Sequence, residues 1–154
     1  MFVSIRHLTS ERIILPLSDL LTGNSVYKSL KFLLKSQYWS SSDLRIFQEE
    51  RLGILIRHAA ASVPFYIDYF QKNHLSTEDF KKIEDLNKLP IINKSIIKRA
   101  GVENFISKNY PEKKMIRKSS SGSTGEPFTY YTSKDAYSLN IAANLRGWYW
   151  QGYR

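Results

Sequence analysis

The stretch "KSSSGSTGEPFTYYTSKDA", Lys118 to Ala136, decides how the rest of the sequence is interpreted. Only serine, threonine and glycine occupy positions 120–125. Backbone N–H groups in such a turn can converge on an anion, and the hydroxyl groups add further donors. Gly122 and Gly125 permit the unusual backbone angles that an anion cradle requires. Taken alone, however, the segment is more typical of a flexible linker.

The flanking residues favour an ordered loop. The runs "KKMIRKSS" and "PFTYYTS" on either side predict two short strands joined by loop 120–127. A linker rarely lies between two such runs, so we interpret the segment as a phosphate loop. It is not a Walker A motif, because Glu126 follows Gly125 where that motif has lysine. A dinucleotide fingerprint is also excluded, since it needs a strand that leads into a helix.

A long helix is predicted after the second strand, from Ser133 to about Gly152, with Asp135 in its first turn. Its side chains are apolar almost all round, including Leu139 and Leu145. A helix without a clear polar face is expected to be buried on every side. Only two residues follow Gly152, so we expect nothing at this end of the chain to bury the helix.

Residues 1–110 are predicted to be mainly helical. Short helices are expected to break at Pro16 and at the turn Thr22-Gly23-Asn24, and a longer helix to begin after a Ser41 or Ser42 cap. Further helical segments are predicted at 65–73 and 76–86, and before Gly101. The predicted division is therefore a helical region at 1–110 and an α/β segment at 111–154.

Composition limits the class of protein. The 154 residues are enough for about one domain, and an aromatic content of 14% argues against disorder throughout. The chain has no cysteine, which excludes disulfides and thiolate metal sites and suits a reducing compartment. We find no signal peptide at the start and no apolar run as long as a membrane span. These features predict a cytoplasmic protein.

Positive charge is concentrated before the loop. The net charge is +9, and the window from Lys88 to Lys118 holds nine Lys/Arg against Glu103 and Glu112. Such a window creates a positive field that attracts phosphate. It is also compatible with a solvated basic face, or with a module that binds nucleic acid or another anionic surface. No helix-turn-helix, zinc-finger or RNA-recognition signature is present, which argues against nucleic acid.

Few other residues indicate chemistry. His58 lies near a predicted helix end, where a packed or locally hydrogen-bonded histidine is more typical than a catalytic one. His7 and His74 share no metal-ligand spacing with it, so we predict no metal site from this chain alone. Arg146 would be costly to bury without a partner, so we expect an acidic neighbour, a phosphate or an absent part of the fold to face it. No catalytic residue is assigned.

Three blocks together resemble a known family. "SSSGSTGEP" resembles the phosphate-binding signature of the adenylate-forming superfamily. Preceded by "RLGILIRHAAASVPFYIDYF" and "LNKLPIINKSIIK" in that order, it resembles the phenylacetate–CoA ligase-like branch, which includes capsular polysaccharide biosynthesis proteins of the CapK type. "KSQYW" upstream and "LRGWYWQGYR" downstream extend the resemblance over most of the chain.

The resemblance implies an enzyme that joins a small carboxylic acid to AMP from Mg-ATP and releases pyrophosphate. The acyl group then usually passes to coenzyme A. Carried over, the residues that contact the β- and γ-phosphates of ATP are Ser120, Ser121, Gly122, Ser123, Thr124 and Gly125. The superfamily often has lysine before the proline, whereas this chain has Glu126, to which we assign no binding role.

By this resemblance the fold class is α/β and truncated. A helical region, a β-hairpin phosphate loop and a long apolar helix would form part of the N-terminal domain of an acyl-adenylate-forming enzyme. The family's acidic motif, ribose-binding aspartate and catalytic lysine are not found in these 154 residues. We therefore expect an N-terminal portion without activity of its own, from a truncated gene product, an interrupted reading frame or a remnant. The acid substrate and the oligomeric state stay open.

Overall fold

The computed structural model describes residues 10–120 and 127–152, which are mostly helical and include one two-stranded antiparallel sheet. Within these ranges no helix is both long enough and apolar enough to cross a membrane. The elements, in chain order, are the helices α1 (Leu15–Thr22), α2 (Val26–Ser36), α3 (Ser41–Ser62), α4 (Pro64–Lys72), α5 (Lys94–Ala100) and α6 (Lys134–Trp150), with the strands β1 (Met115–Ser119) and β2 (Thr129–Ser133) before α6.

The chain divides into two compact units, one of residues 1–39 with 132–154 and the other of residues 40–131. In the first unit a π-helical turn, Ser10–Ile14, leads into α1. The predicted break at Pro16 is wrong, because this proline lies in the first turn of α1, where its missing N–H has no helical partner to lose. The predicted turn after Thr22 is confirmed: Gly23 ends α1 with a left-handed φ of 66°.

The core of the first unit is formed between α2 and α6. Val26, Leu30 and Ala142 are buried there, and the side chains packed around them are Leu15, Leu33, Leu34, Ile141, Leu145 and Tyr149. The expectation that nothing would bury the last helix is therefore wrong for one of its sides, because its partner lies far upstream in the sequence. Burial on every side is not observed either, since Leu139 remains 43% exposed.

Polar contacts hold α6 in register with the first two helices. The buried hydroxyl of Ser138 accepts a hydrogen bond of 3.0 Å from the Ser25 N–H and donates one of 2.7 Å to the carbonyl of Lys134. Lys134 Nζ in turn donates to the carbonyl of Thr22 at 2.9 Å. Because a buried hydroxyl without partners is unfavourable, these bonds favour one alignment of α6.

In the second unit α3 begins at a serine cap. The Ser40 hydroxyl accepts the N–H of Asp43 at 3.1 Å, so the cap lies one residue before the predicted Ser41 or Ser42. The helix ends at Ser62, and Val63 is extended, as expected for a residue that precedes a proline. Pro64 then occupies the first turn of α4. The core of this unit contains Ile56, Phe70 and Phe80.

The segment 76–86 is not the single capped helix that its sequence predicts. Ser76 does cap a turn, but that turn is the short 3₁₀ segment Thr77–Asp79, and a second one follows at Ile83–Lys88. The reason is Asp85, whose carboxylate accepts the N–H groups of Lys81 and Lys82 and so starts a new turn. Downstream the predictions are confirmed, because α5 stops at Gly101 and both predicted strands form.

Candidate functional site

The candidate site is the loop between β1 and β2, and the structure shows how its base is closed. The N–H of Ser120 donates to the carbonyl of Phe128 at 3.0 Å. The N–H of Phe128 donates at 3.0 Å to the side-chain oxygen of Ser120. The described residues on the two sides of 121–126 are therefore joined directly to each other.

Among the predicted phosphate ligands, Ser120 lies inside the described residues. The others, Ser121, Gly122, Ser123, Thr124 and Gly125, lie outside them. The Ser120 oxygen already accepts a hydrogen bond from the backbone of Phe128, so the role seen for this residue is to hold the base of the loop. Its O–H can still donate to another group. A contact of these six residues with phosphate stays a prediction.

Basic side chains lie on the strand that leads into the loop. Arg117 and Ser119 are exposed and two residues apart on β1, so they share one face of the hairpin. Lys113 and Lys114, immediately before the strand, are exposed as well. Within residues 10–120 and 127–152, no carboxylate forms an ion pair with Arg117, Lys113 or Lys114. The same is true of Lys94, Arg99 and Lys108.

Two basic residues further upstream, Lys88 and Arg45, are paired with carboxylates. Lys88 Nζ lies 2.9 Å from Asp85 Oδ1, and this hydrogen bond, together with those from the Lys82 and Lys81 N–H groups, lowers the pKa of Asp85 to about 2. Arg45 contacts both carboxylate oxygens of Glu84, at 2.6 and 2.7 Å, and this pairing raises the pKa of Arg45. Lys88 and Arg45 are thus paired, whereas Lys113, Lys114 and Arg117 have no carboxylate partner among the described residues.

His58 has a local structural role. Its ring Nε2 lies 3.3 Å from the hydroxyl of Ser62, one helical turn further along α3. That hydroxyl donates to the His58 carbonyl at 2.6 Å and accepts from Ser107 at 3.0 Å. Because Ser62 is only 1% exposed, the pair offers no accessible nucleophile. Across the described ranges, no group of three or more acidic or histidine side chains is placed to hold a metal ion.

Two features of the structure were missed by sequence reasoning. Phe128 closes the loop through its backbone, which no residue pattern signals, because the contact depends on how the strands pair. Arg146 was expected to meet an acidic neighbour, but no described carboxylate pairs with it. Its guanidinium instead lies 4.9 Å from the ring centre of Trp150. The four-residue spacing of these two side chains is a signal that could have been noticed.

Comparison with known proteins supports the relationship that the motifs indicate. The chain is 35% identical over 113 residues to a phenylacetate-coenzyme A ligase of Aromatoleum evansii, covering 70% of this chain and 25% of that protein. It is 30% identical over 113 residues to the phenylacetate-coenzyme A ligase of Escherichia coli K12, with the same coverage. Protein CapK of Staphylococcus aureus is 31% identical over 101 residues, covering 66% of this chain and 22% of CapK.

The chain thus spans about a quarter of the length of the curated relatives that it matches. No protein-family model matches it.

Proposed function

Since the chain is a relative of the phenylacetate–CoA ligases and CapK over 66–70% of its length, we propose that it is the phosphate-binding, N-terminal part of an ATP-dependent, AMP-forming carboxylic acid ligase. The observation that carries the proposal is the pair of hydrogen bonds between Ser120 and Phe128, which joins the two strands at the ends of the Ser/Gly segment. The activated acid is a small carboxylic acid, and coenzyme A is the acceptor by analogy with the ligases.

Several features of the described residues fit a polyphosphate. Lys113, Lys114 and Arg117, which pair with no described carboxylate, lie just before the Ser/Gly segment and would attract a ligand with several negative charges. The loop itself would supply N–H and O–H donors from residues 120–125. In AMP-forming chemistry, such donors stabilise the negative charge that develops on the departing pyrophosphate.

ATP would enter such a site together with magnesium. We propose that the described residues do not supply a cluster of side chains that coordinates this ion. Magnesium is commonly held by the phosphates of its nucleotide and by water, with only one or two carboxylates from the protein. The residues of this chain would therefore bind and orient the phosphates. The groups that position the acid and the ribose are expected in the rest of the longer fold.

Two further parts of the proposal concern the whole chain of 154 residues. We propose that they do not form an acyl-adenylate alone, because the chain matches only about a quarter of its ligase relatives. We also propose a role in the synthesis of a capsular or surface polysaccharide, which the resemblance to CapK-type proteins implies. Pyrophosphate release by the purified chain in the presence of ATP and a carboxylic acid would contradict the first statement.

The proposal is tested by calorimetric titration of the chain with Mg-ATP, with AMP and with inorganic triphosphate. Binding of ATP and triphosphate, but weaker binding of AMP, is expected if the loop recognises the outer phosphates. Ser123→Ala should weaken ATP binding about tenfold or more, the effect of losing one hydrogen bond to a charged group. Gly125→Ala should weaken it as well, because the added Cβ restricts the backbone angles and the close approach that an anion cradle requires. Ser18→Ala, in an exposed position on α1, is the matched control. Equal affinity of wild type and loop variants would refute the proposed role of the loop.

A second candidate function is binding to a nucleic acid or another anionic surface. The specific observation in its favour is the set of exposed basic residues without carboxylate partners in the described ranges. Fluorescence anisotropy with a labelled oligonucleotide at low and high salt would separate the two functions. Strongly salt-dependent binding that survives Gly125→Ala and is lost in Lys113→Glu would favour the second function.

A further inference from the structure

One side of α1 and of the turn before it is apolar and exposed. Leu17, Leu20 and Leu21 are spaced i, i+3 and i+4, so they lie on one helical face. Ile13 and Ile14 belong to the turn that leads into the helix. All five side chains are between 52% and 85% exposed. Single exposed leucines are common, but five large aliphatic side chains within nine residues are typical of an interaction surface. We call these five residues the α1 face.

Contacts on the other side of α1 fix its orientation. The Asp19 carboxylate accepts the N–H of Tyr27 at 2.7 Å, and the Thr22 carbonyl accepts a hydrogen bond from Lys134 Nζ at 2.9 Å. Leu15 packs against the core cluster of α2 and α6. These contacts hold the helix with the α1 face outward. The larger apolar side of α1 therefore points away from the core, which is the reverse of the arrangement in most surface helices.

A second outward surface of the same unit is basic. Lys28, Lys31 and Lys35 recur at i, i+3 and i+7 on α2, and all three are exposed. Val26 and Leu30, on the opposite side of this helix, are buried in the core. The helix contains no acidic residue, and in the described part of the chain no carboxylate forms an ion pair with the three lysines. We call them the lysine row. Like the α1 face, the lysine row points away from the shared core.

We propose that the α1 face and the lysine row together dock this unit on a lipid bilayer that carries anionic headgroups. The leucine and isoleucine side chains enter the boundary between headgroups and acyl chains, and the lysines contact the negative headgroups. With eight residues, α1 is about 12 Å long. It therefore lies in the plane of the membrane surface and does not cross the hydrocarbon core, which is about 30 Å thick.

Charge favours this partner over the alternatives. The net charge of +9 disfavours contact between two copies of the chain and favours an anionic surface. A nucleic acid would use the lysine row but would leave the α1 face in water. The surface also differs from the basic residues of the second candidate function, because Lys113, Lys114 and Arg117 belong to the other unit. An anionic bilayer is the partner that matches both the apolar and the basic surface.

The test is co-sedimentation of the full chain with vesicles. Vesicles of phosphatidylcholine alone are compared with vesicles of equal parts phosphatidylcholine and phosphatidylglycerol. The chain should bind the anionic vesicles, and the binding should weaken as salt is raised. Leu20→Gln and Leu21→Gln should each weaken it about tenfold or more, the effect of withdrawing one leucine from an apolar environment. Lys28→Gln and Lys35→Gln should each weaken it about fivefold.

The matched controls carry the same substitutions at exposed positions of the other unit. These are Leu55→Gln on α3 and Lys94→Gln on α5. Each should change the affinity less than about twofold, as expected for a surface position outside the contact. Circular dichroism establishes that every variant is folded. Hydrogen exchange with anionic vesicles present should show added protection of α1 and none of α5.

Absence of binding to the anionic vesicles overturns the proposal, and so does binding that survives both leucine variants. Equal binding to the two kinds of vesicle would refute the part of the lysine row. A loss in Lys94→Gln without a loss in the lysine-row variants would place the lipid contact on the other unit and overturn the proposal. A dimer that Leu20→Gln dissociates, in a chain that does not bind vesicles, would assign the α1 face to a second copy. No nucleotide is present, so this result and that of the ATP titration are independent.

Discussion

The side-chain oxygen of Ser120 accepts a hydrogen bond of 3.0 Å from the N–H of Phe128, eight residues further along the chain. A second bond of 3.0 Å runs from the Ser120 N–H to the Phe128 carbonyl. One serine thus uses both its backbone and its hydroxyl to set the distance between the two ends of the loop. The first serine of the predicted phosphate-binding segment is therefore a positioning residue.

Replacing Ser120 by alanine should loosen the base of the loop. The backbone bond remains, but the Phe128 N–H loses its acceptor, at a cost of about 1 kcal/mol, or roughly fivefold faster hydrogen exchange at that amide. Exchange measured by NMR or mass spectrometry checks this. Ser119→Ala is the control, since the hydrogen bond described for the Ser119 hydroxyl goes to the neighbouring Ser120 carbonyl and not across the hairpin. Unchanged protection of Phe128 in Ser120→Ala would mean that the hydroxyl does not hold the loop.

Leu30→Ala should destabilise the first unit strongly. Leu30 is 0% exposed and belongs to the core cluster shared with Ala142 of α6. Truncation of such a leucine costs about 2–5 kcal/mol through lost burial and the cavity left behind. Leu20→Ala, on α1, should cost less than about 1 kcal/mol, because Leu20 is 79% exposed. The free energies of unfolding of the two variants can be compared by urea titration with tryptophan fluorescence as the signal. Equal losses of stability would show that α2 and α6 do not form the core.

Two glycine-to-alanine changes should have opposite effects. Gly101 has a φ of 87°, and a Cβ there would meet the Glu103 carboxylate, so Gly101→Ala should destabilise the protein by about 1–2 kcal/mol. Gly147 lies inside α6 with open space around its missing Cβ, so Gly147→Ala should stabilise it by about 0.5–1 kcal/mol. Thermal unfolding of both variants shows whether each change lowers or raises the stability as expected. A stabilising Gly101→Ala would be inconsistent with the left-handed conformation at that residue.

Asp85 should make stability depend on pH in the acid range. Hydrogen bonds from Lys88 and from backbone N–H groups lower its pKa from 3.8 to about 2. A lowered carboxylate pKa stabilises the folded state above the unfolded value, and this contribution is lost as the pH falls from about 4 through about 2. Asp85→Asn should therefore be less stable than wild type near neutral pH, and the difference should shrink towards pH 2.

Urea midpoints of wild type and Asp85→Asn across that range measure the effect. Glu50→Gln, which removes an exposed carboxylate without a hydrogen bond in the described structure, should not reproduce it. A constant difference between wild type and Asp85→Asn at every pH would show that the charge of Asp85 is not responsible.

Much of the local structure was predictable because it depends on neighbours a few residues apart. The Ser133 cap of α6, the end of α5 at Gly101 and the two strands around the loop all follow from such short-range signals. The errors at Pro16 and in segment 76–86 are also local. In both places a helical pattern was recognised. Pro16, however, lies in the first turn of a helix and does not end one, and the hydrogen bonds of Asp85 divide the predicted helix into two short turns.

By itself, the sequence determined most of the helices, the two strands around the Ser/Gly segment, and the relationship of the chain to part of a ligase. Only the tertiary structure decided what those elements contact. The Ser25–Ser138 hydrogen bond joins residues 113 apart, and the Ser120–Phe128 bond requires one particular register of two strands. Helical side chains act on neighbours three or four residues away, so no local pattern encodes such pairings. They are set by which apolar and polar surfaces fit together once the whole chain has folded.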